Sequence, residues 1–282
     1  MAAIALILTV GLAVRFRPVW GLLIVAAIMV PLERLFRRHD YPILRPGVRT
    51  DIVHFLFTHF LELGCLLAAA GITYVVLSPF EIEPAEHMIA SLPFIGQALV
   101  TTLLFSVGYY WEHRLAHEWG FLWRFHSVHH SSERLDWLAA AHLHPFEAFI
   151  GGFVIAPAFV LLGVHPATIA VLSSIQTGWA IPNHANVNWR MRWMDRIWPN
   201  PEYHHWHHSN EADARNHNYG FPALDTIFGT YFMPKDRSPQ EYGIDEPMPE
   251  TYLGQLAQPF RREPAAQPMR MSSSRVPSGS VQ

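Results

Sequence analysis

The 282-residue sequence is 50% hydrophobic and only 15% charged, whereas roughly a quarter of the residues of an ordinary soluble domain are charged. The formal net charge of -3 gives no reason to expect a nucleic-acid partner. The single cysteine, Cys65, excludes an intramolecular disulfide framework and a thiolate-rich metal site. A histidine content of 18 residues is the unusual feature that remains.

Six apolar stretches predict an all-α integral membrane protein. The third and fourth have 25 and 20 residues, enough to cross a hydrocarbon core of roughly 30 Å as helices. The last two are shorter and predict a membrane hairpin. The first follows no positively charged segment, so we expect a retained helix and not a signal peptide. In chain order the stretches are Ala2–Val14, Gly21–Leu32, Val53–Leu77, Leu92–Trp111, Ala148–Val164 and Thr168–Ile181.

Charged residues between these stretches predict their orientation. The loop after the second stretch is rich in arginine and should be cytoplasmic, whereas the loop after the third is acidic and should lie outside. Arg15 and Arg17 do not fit this pattern if both N-terminal segments span. We expect about four transmembrane helices and a hairpin, capped by a cytoplasmic helical domain. The charged residues are Arg34, Arg37, Arg38, Arg45 and Arg49, against Glu81, Glu83 and Glu86.

Three histidine boxes follow the fourth stretch. An HxxxH box places two imidazoles on one helix face, and two HxxHH boxes repeat the spacing i, i+3, i+4. Single histidines elsewhere, such as His39, His54, His59, His87 and His165, are expected at the interface or in hydrogen bonds. The boxes supply eight imidazoles, which are His113, His117, His126, His129, His130, His204, His207 and His208.

Eight imidazoles without a thiolate predict a site for two metal ions. A structural zinc takes four ligands and a catalytic zinc three, so the set is too large for one zinc ion. Imidazole alone suits iron, zinc, copper or nickel. A membrane-surface site of this kind suggests oxygen chemistry at an iron pair. Two alternatives stay open at this point: a zinc-dependent membrane hydrolase that uses a metal-bound hydroxide, and a metal-binding scaffold that is not an enzyme.

The order of motifs resembles the fatty acid hydroxylase superfamily, which includes sterol desaturases, sterol methyl oxidases, alkylglycerol monooxygenase and carotene hydroxylases. The motifs are HRLAH, LWRFHSVHHSSE, HP, NHAN, HHWHHS, NYG and LDTIFGTYF, within residues 92–234. The resemblance implies that the eight box histidines and His184 bind the metals. Some members have a further histidine where this chain has Asn188. His142, His144, Asn188 and Asp225 are candidates for the layer around the ligands.

The resemblance also implies two iron ions, dioxygen as cosubstrate and a lipid substrate drawn from the bilayer. Neither GxGxxG nor CxxCH occurs, so a separate electron donor, such as a cytochrome, ferredoxin or reductase, is expected. The activity predicted is hydroxylation or desaturation of a sterol, hopanoid, fatty acyl chain or ether lipid; a carotenoid hydroxylase is the alternative within the superfamily.

Three regions follow from these observations. Residues 1–91 should form N-terminal membrane helices and loops, 92–234 the catalytic domain, and 235–282 a C-terminal extension that is disordered after about residue 258. The charge pattern puts the histidines on the cytoplasmic face. Because Lys235 is the only lysine among arginines, as in many GC-rich bacteria, the predicted location is a bacterial inner membrane.

Overall fold

The computed structural model describes residues 16–80, 89, 91–162, 164 and 166–261. Within these ranges the regular secondary structure is helical, without β-strands and with two isolated β-bridges. The predicted helix Ala2–Val14, the three loop glutamates and residues 262–282 lie outside the described residues. The helices are α1 (Arg17–Leu35), α2 (Val48–Leu77), α3 (Phe94–Glu118), α4 (Gly120–His130), α5 (Pro145–Leu161), α6 (Pro166–His184), α7 (Pro201–His207), α8 (Pro222–Ile227) and α9 (Tyr252–Ala257).

Three helices are long and apolar enough to cross a membrane: Arg17–Leu35, Val48–Phe80 and Phe94–Glu118. Large apolar side chains along them face outward, such as Val75, which is 72% exposed, and Leu99, which is 67% exposed. Such a surface is unfavourable in water and is suited to lipid. The prediction of an all-helical protein with membrane-spanning helices is thus confirmed at this level for the described residues.

The two shorter apolar stretches form α5 and α6. Each helix begins at a proline, Pro145 or Pro166, which suits a first helical turn because the missing N–H has no partner there. Helix α5 packs closely on α2 at Gly152, where an added Cβ would lie 2.7 Å from the Cβ of Ala69. A larger residue at this position would therefore push the two helices apart.

Shorter helices and loops gather at one end of α3. Helix α4 begins two residues after α3 ends, and their junction residue Trp119 has an extended backbone that turns the chain. Helices α7 and α8 and the loop between them cover the same end. The largest fully buried side chains, Trp206, Tyr110, Tyr203 and Tyr219, lie here. Together these elements surround the histidine boxes.

The C-terminal part of the described chain returns to this region. Thr251 caps α9, and His54 donates from Nε2 to the Gln255 side chain at 2.8 Å. A 3-10 turn at Gln258–Phe260 follows, where disorder had been expected to begin. The Phe260 ring packs against Phe125 of α4, with 5.6 Å between ring centroids. This contact gives the turn a packing partner that the polar composition of the tail did not reveal.

Candidate metal centre

Four helix ends carry the predicted ligand histidines into one buried region. The last two turns of α3 supply His113 and His117, and α4 supplies the second box. Helix α6 ends at His184. Helix α7 supplies two members of the third box and ends against His208, its C-cap residue. The structure thus brings together nine histidines that are spread from residue 113 to residue 208.

The nine histidines divide into two groups. Within each group, one nitrogen atom of every residue lies within 4.8 Å of those of the other members. The two groups adjoin, since the rings of His130 and His208 stack with 4.3 Å between centroids. The five-histidine group consists of His113, His117, His126, His130 and His207, and the four-histidine group consists of His129, His184, His204 and His208.

Each HxxHH box contributes to both groups. In the box on α4, His126 and His130 enter the five-histidine group, whereas His129 enters the four-histidine group. Residues rotate by about 100° per position in an α-helix, so adjacent residues at i+3 and i+4 point to different sides of the same face. The spacing thereby lets one helix serve two neighbouring metal positions.

Hydrogen bonds fix the ring orientation of five members. In each of them the Nδ1–H group donates to an acceptor outside the two groups. His113 donates to the Tyr219 carbonyl (2.6 Å), and His126 donates to the Glu147 carboxylate (2.6 Å). The other three donate to carbonyl groups: His129 to that of His142 (3.1 Å), His184 to that of Ala180 (2.8 Å) and His207 to that of His217 (2.9 Å). With the proton on Nδ1, the Nε2 atom of each ring carries a free lone pair. Metal-ligating histidines are oriented in this way by their outer neighbours.

The Nε2 atoms face one another at distances that require a cation. Those of His113 and His126 are 3.0 Å apart in one group, and those of His129 and His184 are 3.2 Å apart in the other. Because all four rings donate from Nδ1, neither pair has a proton to share, and the lone pairs repel. Ligand nitrogens about 2.1 Å from a metal ion and at right angles to each other are about 3 Å apart. Both groups therefore fit a metal ion.

Burial holds His129, His207 and His208 in the neutral form that binds metal. Burial lowers the pKa of His207 to about 3. Burial, reinforced by the neighbouring His184, holds the pKa of His129 well below its usual range, and burial with His130 does the same for His208. A neutral imidazole at physiological pH needs no deprotonation before it coordinates a metal ion. The two groups contain no carboxylate or thiolate, and all-imidazole donors suit iron, zinc, copper or nickel.

Three of the four candidates for the outer layer lie against these groups. His142 offers its carbonyl to His129, and its own ring contacts Asp51 at 2.5 Å. His144 caps α5 in a reciprocal capping box with Glu147. Asp225 accepts hydrogen bonds from the backbone N–H of Tyr219 (2.9 Å) and Gly220 (3.1 Å) and from the Thr230 hydroxyl (2.7 Å). It thereby holds the loop whose carbonyl orients His113.

The fourth candidate, Asn188, and two further histidines lie outside both groups. Asn188 is exposed, and its backbone N–H donates to the Phe36 carbonyl at 2.7 Å, so its position supplies no ligand to either group. His205 is buried but belongs to neither group, because it bonds to Tyr242 and to the Ala185 carbonyl. His217 contributes its carbonyl to His207.

Sequence reasoning missed Glu147 and a buried ion network. Glu147 is the only carboxylate among the five acceptors of these Nδ1–H groups, and the capping spacing His144-Pro-Phe-Glu147 could have drawn attention to it. The network joins Arg45 to Asp51 at 2.6 Å and to Asp136 at 2.5 and 2.6 Å. Asp51 in turn contacts His142, so this network supports the segment that orients His129. Arg45 and Asp136 are 91 residues apart, as are Asp51 and His142, so no local pattern connects them.

Comparison with known proteins decides the family. The fatty acid hydroxylase family model matches residues 98–230, which contain all nine clustered histidines. The match assigns this segment, just under half of the chain, to the fatty acid hydroxylase family. The predicted resemblance is thus confirmed, and with it the prediction of an enzyme of the hydroxylase class. No solved structure matches the chain.

Relatives of the fatty acid hydroxylase domain act on different lipids, by their names. The ornithine lipid hydroxylase of Rhizobium tropici is 29% identical over 243 residues, which cover 83% of this chain and 71% of the relative. An alkylglycerol monooxygenase of Danio rerio is 28% identical over 51% of this chain and 32% of its own length. A putative methylsterol monooxygenase of Dictyostelium discoideum is 28% identical over 52% of this chain and 55% of its own length. The chain thus spans only about a third to a half of these last two relatives.

Proposed function

We propose that the chain is a membrane-embedded non-haem diiron oxidoreductase that hydroxylates a lipid with dioxygen and externally supplied electrons. The observation that carries the proposal is the pair of histidine groups whose Nε2 lone pairs converge without protons to share. Nine imidazoles exceed the three or four ligands of a zinc site and suit two ions of a redox metal. The names of the relatives, hydroxylases and monooxygenases, support oxygen chemistry and not hydrolysis.

The nine clustered histidines would hold the two iron ions. Iron bound there would supply dioxygen activation and the removal of hydrogen from an unactivated C–H bond. The overall reaction consumes the lipid C–H, dioxygen, two electrons and two protons, and it gives the lipid alcohol and water. The protein keeps His129, His207 and His208 neutral by burial, and it orients five of the nine rings through main-chain carbonyl groups and Glu147. Because the sequence has no flavin, haem or nicotinamide motif, we propose a separate electron donor.

The lipid reaches the site from the bilayer along α3. Leu99, Leu103 and Val107 expose an apolar surface on this helix, and His113 follows them two turns further on. A chain lying along this surface would bring a C–H bond to the histidine groups without leaving an apolar environment. Since the ornithine lipid hydroxylase is covered over most of its length, an ornithine-type lipid is the first substrate to test. Sterols, hopanoids, fatty acyl chains and ether lipids form the wider set.

The arrangement in the membrane is part of the same proposal. About four transmembrane helices and the α5–α6 hairpin would be capped by the histidine-bearing helices on the cytoplasmic side of a bacterial inner membrane. The arginine-rich segment between α1 and α2 supports this orientation. Residues 92–234 would form the catalytic domain, and 1–91 and 235–282 its membrane anchor and C-terminal extension.

Alanine substitutions in each histidine group test the proposal. His207→Ala and His129→Ala remove one member of each group, so both should lower bound iron and lipid hydroxylation. His59→Ala is the matched control, because this exposed histidine on α2 belongs to neither group. Iron is measured by elemental analysis of the purified protein, and product by lipid mass spectrometry with isotopically labelled dioxygen.

Two results would contradict the diiron assignment. Full iron content and full activity in both variants would show that the histidine groups do not hold the reactive metal. Stoichiometric zinc with turnover that does not need oxygen would favour a membrane hydrolase instead.

A further inference from the structure

A cavity of about 190 Å³ lies between α1, α2 and the loop that joins them. This volume is several times the roughly 30 Å³ that a water molecule occupies in the liquid. Its wall within the membrane-spanning part is apolar. That wall consists of Leu22, Leu23, Ala26 and Val30 of α1 and Val48 and Ile52 of α2.

The mouth of the cavity is basic. Arg34 and Arg37 line it, together with Tyr41 and two exposed apolar side chains, Ile43 and Leu44. Arg34 lies eight residues beyond Ala26, or about 12 Å along the helix axis, at the end of the apolar span. Among the residues that the structure describes, Arg37 forms an ion pair with the exposed Asp40, an interaction of small stabilising effect. The cavity thus changes from apolar to positively charged over the distance that separates an acyl chain from its head group.

The two carboxylates in the lining are already engaged. Glu33 accepts hydrogen bonds from the backbone N–H groups of Trp137 (2.9 Å) and Asn186 (2.8 Å). Asp136 forms a two-atom ion pair with Arg45. The charges left to face a ligand are therefore those of the arginines at the mouth.

None of the nine clustered histidines lines this cavity. Its inner wall nevertheless includes Trp137, which begins the 3-10 turn before His142, and Asn186, which lies two residues after His184. A ligand in the cavity would pack against the turn before His142, whose carbonyl orients His129, and against the segment that follows His184. The cavity is thus separate from the histidine groups but adjoins two segments that pack beside them.

We propose that this cavity binds one acyl chain of an anionic phospholipid of the surrounding bilayer, with its phosphate against Arg34 and Arg37. The apolar wall, the basic mouth and the position at the end of a span fit this occupant. Its binding stabilises the 3-10 turn and the segment after α6, and so the histidines that these segments carry. The inference depends on the membrane placement of α1 and α2 and does not depend on the reaction.

The first test fills the cavity. Ala26→Phe places a ring in the wall, while Ala27→Phe adds the same ring to the exposed face of the same helix. The full chain with its metal is purified in detergent, stripped of lipid and mixed with phosphatidylglycerol, and bound lipid is counted by native mass spectrometry. We expect Ala26→Phe to lose the bound lipid and Ala27→Phe to keep it. Equal retention by the two variants would overturn the proposal, as would conversion of a dimer to a monomer by Ala26→Phe, because a second copy would then occupy the cavity.

The second test concerns the lipid head group. It introduces no ring into the cavity, so it remains valid if Ala26→Phe does not fold. Phosphatidylglycerol is compared with phosphatidylcholine of the same acyl chains. Each of Arg34→Gln and Arg37→Gln should reduce the preference for the anionic lipid about fivefold. Arg49→Gln is the control, because it removes an exposed arginine near the same loop that does not line the cavity. Equal binding of the two lipids by the unmodified protein, or an equal effect of Arg49→Gln, would overturn the assignment of the phosphate.

Discussion

Replacing Glu147 with glutamine should weaken metal binding in the five-histidine group about tenfold. The Glu147 carboxylate accepts the Nδ1–H of His126 at 2.6 Å, and its other oxygen accepts the backbone N–H of His144 at 3.1 Å. The negative charge makes the Nε2 atom of His126 a stronger donor to a metal ion. Glutamine is tolerated in a capping box, but it lacks the charge and keeps one acceptor oxygen in place of two, so one of the two N–H groups loses its acceptor.

The expected loss of metal affinity differs between two substitutions of Glu147. Loss of an outer partner of a metal-bound histidine typically costs 10–100-fold in metal affinity, or about 1.4–2.7 kcal/mol. Glu147→Gln should fall at the lower end, since one acceptor oxygen remains. Glu147→Ala should reach the upper end and also lower the unfolding free energy by about 0.5–1.5 kcal/mol, because the cap of α5 is lost.

Competition with a chelator of known affinity measures the effect, and thermal unfolding in detergent is recorded on the same samples. Glu211→Gln is the control, because it removes a carboxylate that pairs with Arg237 at 2.7 Å and contacts neither histidine group. The reasoning is refuted if Glu147→Gln binds metal as tightly as the unmodified protein, or if Glu147→Ala changes only the melting temperature.

Three further predictions concern the surroundings of the histidine groups. Asp225→Asn should lower metal content and melting temperature, because each buried N–H or O–H left without an acceptor costs about 1–3 kcal/mol; unchanged elemental analysis and melting would contradict this role. His142→Ala should keep metal content within about tenfold while lowering the melting temperature, since the carbonyl remains but Asp51 loses one of its two partners and keeps Arg45; complete metal loss would show that the imidazole itself is needed. The metal-free protein should become less stable as pH falls from 6.5 towards 3: the unfolded His207 imidazole binds a proton below its ordinary pKa of 6.5, whereas the buried one has a pKa of about 3. Proton binding by the unfolded form of this residue alone lowers the free energy of unfolding by about 1.4 kcal/mol at pH 5.5. Identical melting temperatures at pH 7.5 and 5.5 would contradict this prediction.

The histidine positions followed from sequence because their spacing is local. Helical periodicity relates His113 to His117 and His126 to His130 within one turn, so residue type and separation suffice to place them on one face. The family resemblance added His184, which stands alone in sequence. The division into five and four was not foreseen, because it depends on how α4 and α7 are rotated relative to each other, and local spacing carries no information on that rotation.

The supporting contacts could not be foreseen for a related reason. Glu147, the Tyr219 carbonyl and the Arg45 network reach the histidines only after the helices have packed, across separations of 21 to 106 residues. Hydropathy predicted the apolar stretches near α1 to α3, α5 and α6. It did not predict that Gln258–Phe260 would be held by an aromatic contact with α4, because a polar segment can be ordered by one well-placed ring.

The Nδ1 contacts have a consequence for how this domain can diversify. Four of the five acceptors are main-chain carbonyls, those of residues 142, 180, 217 and 219. A carbonyl is present whatever side chain the residue carries, so substitution at these positions can reshape the surroundings while the tautomer of each imidazole is retained. Substitutions at these positions can thus change what fits beside the histidine groups without changing the histidine groups themselves. The backbone can orient the histidines in relatives that are named for ornithine lipids, alkylglycerols and methylsterols, while the side chains around the histidines differ.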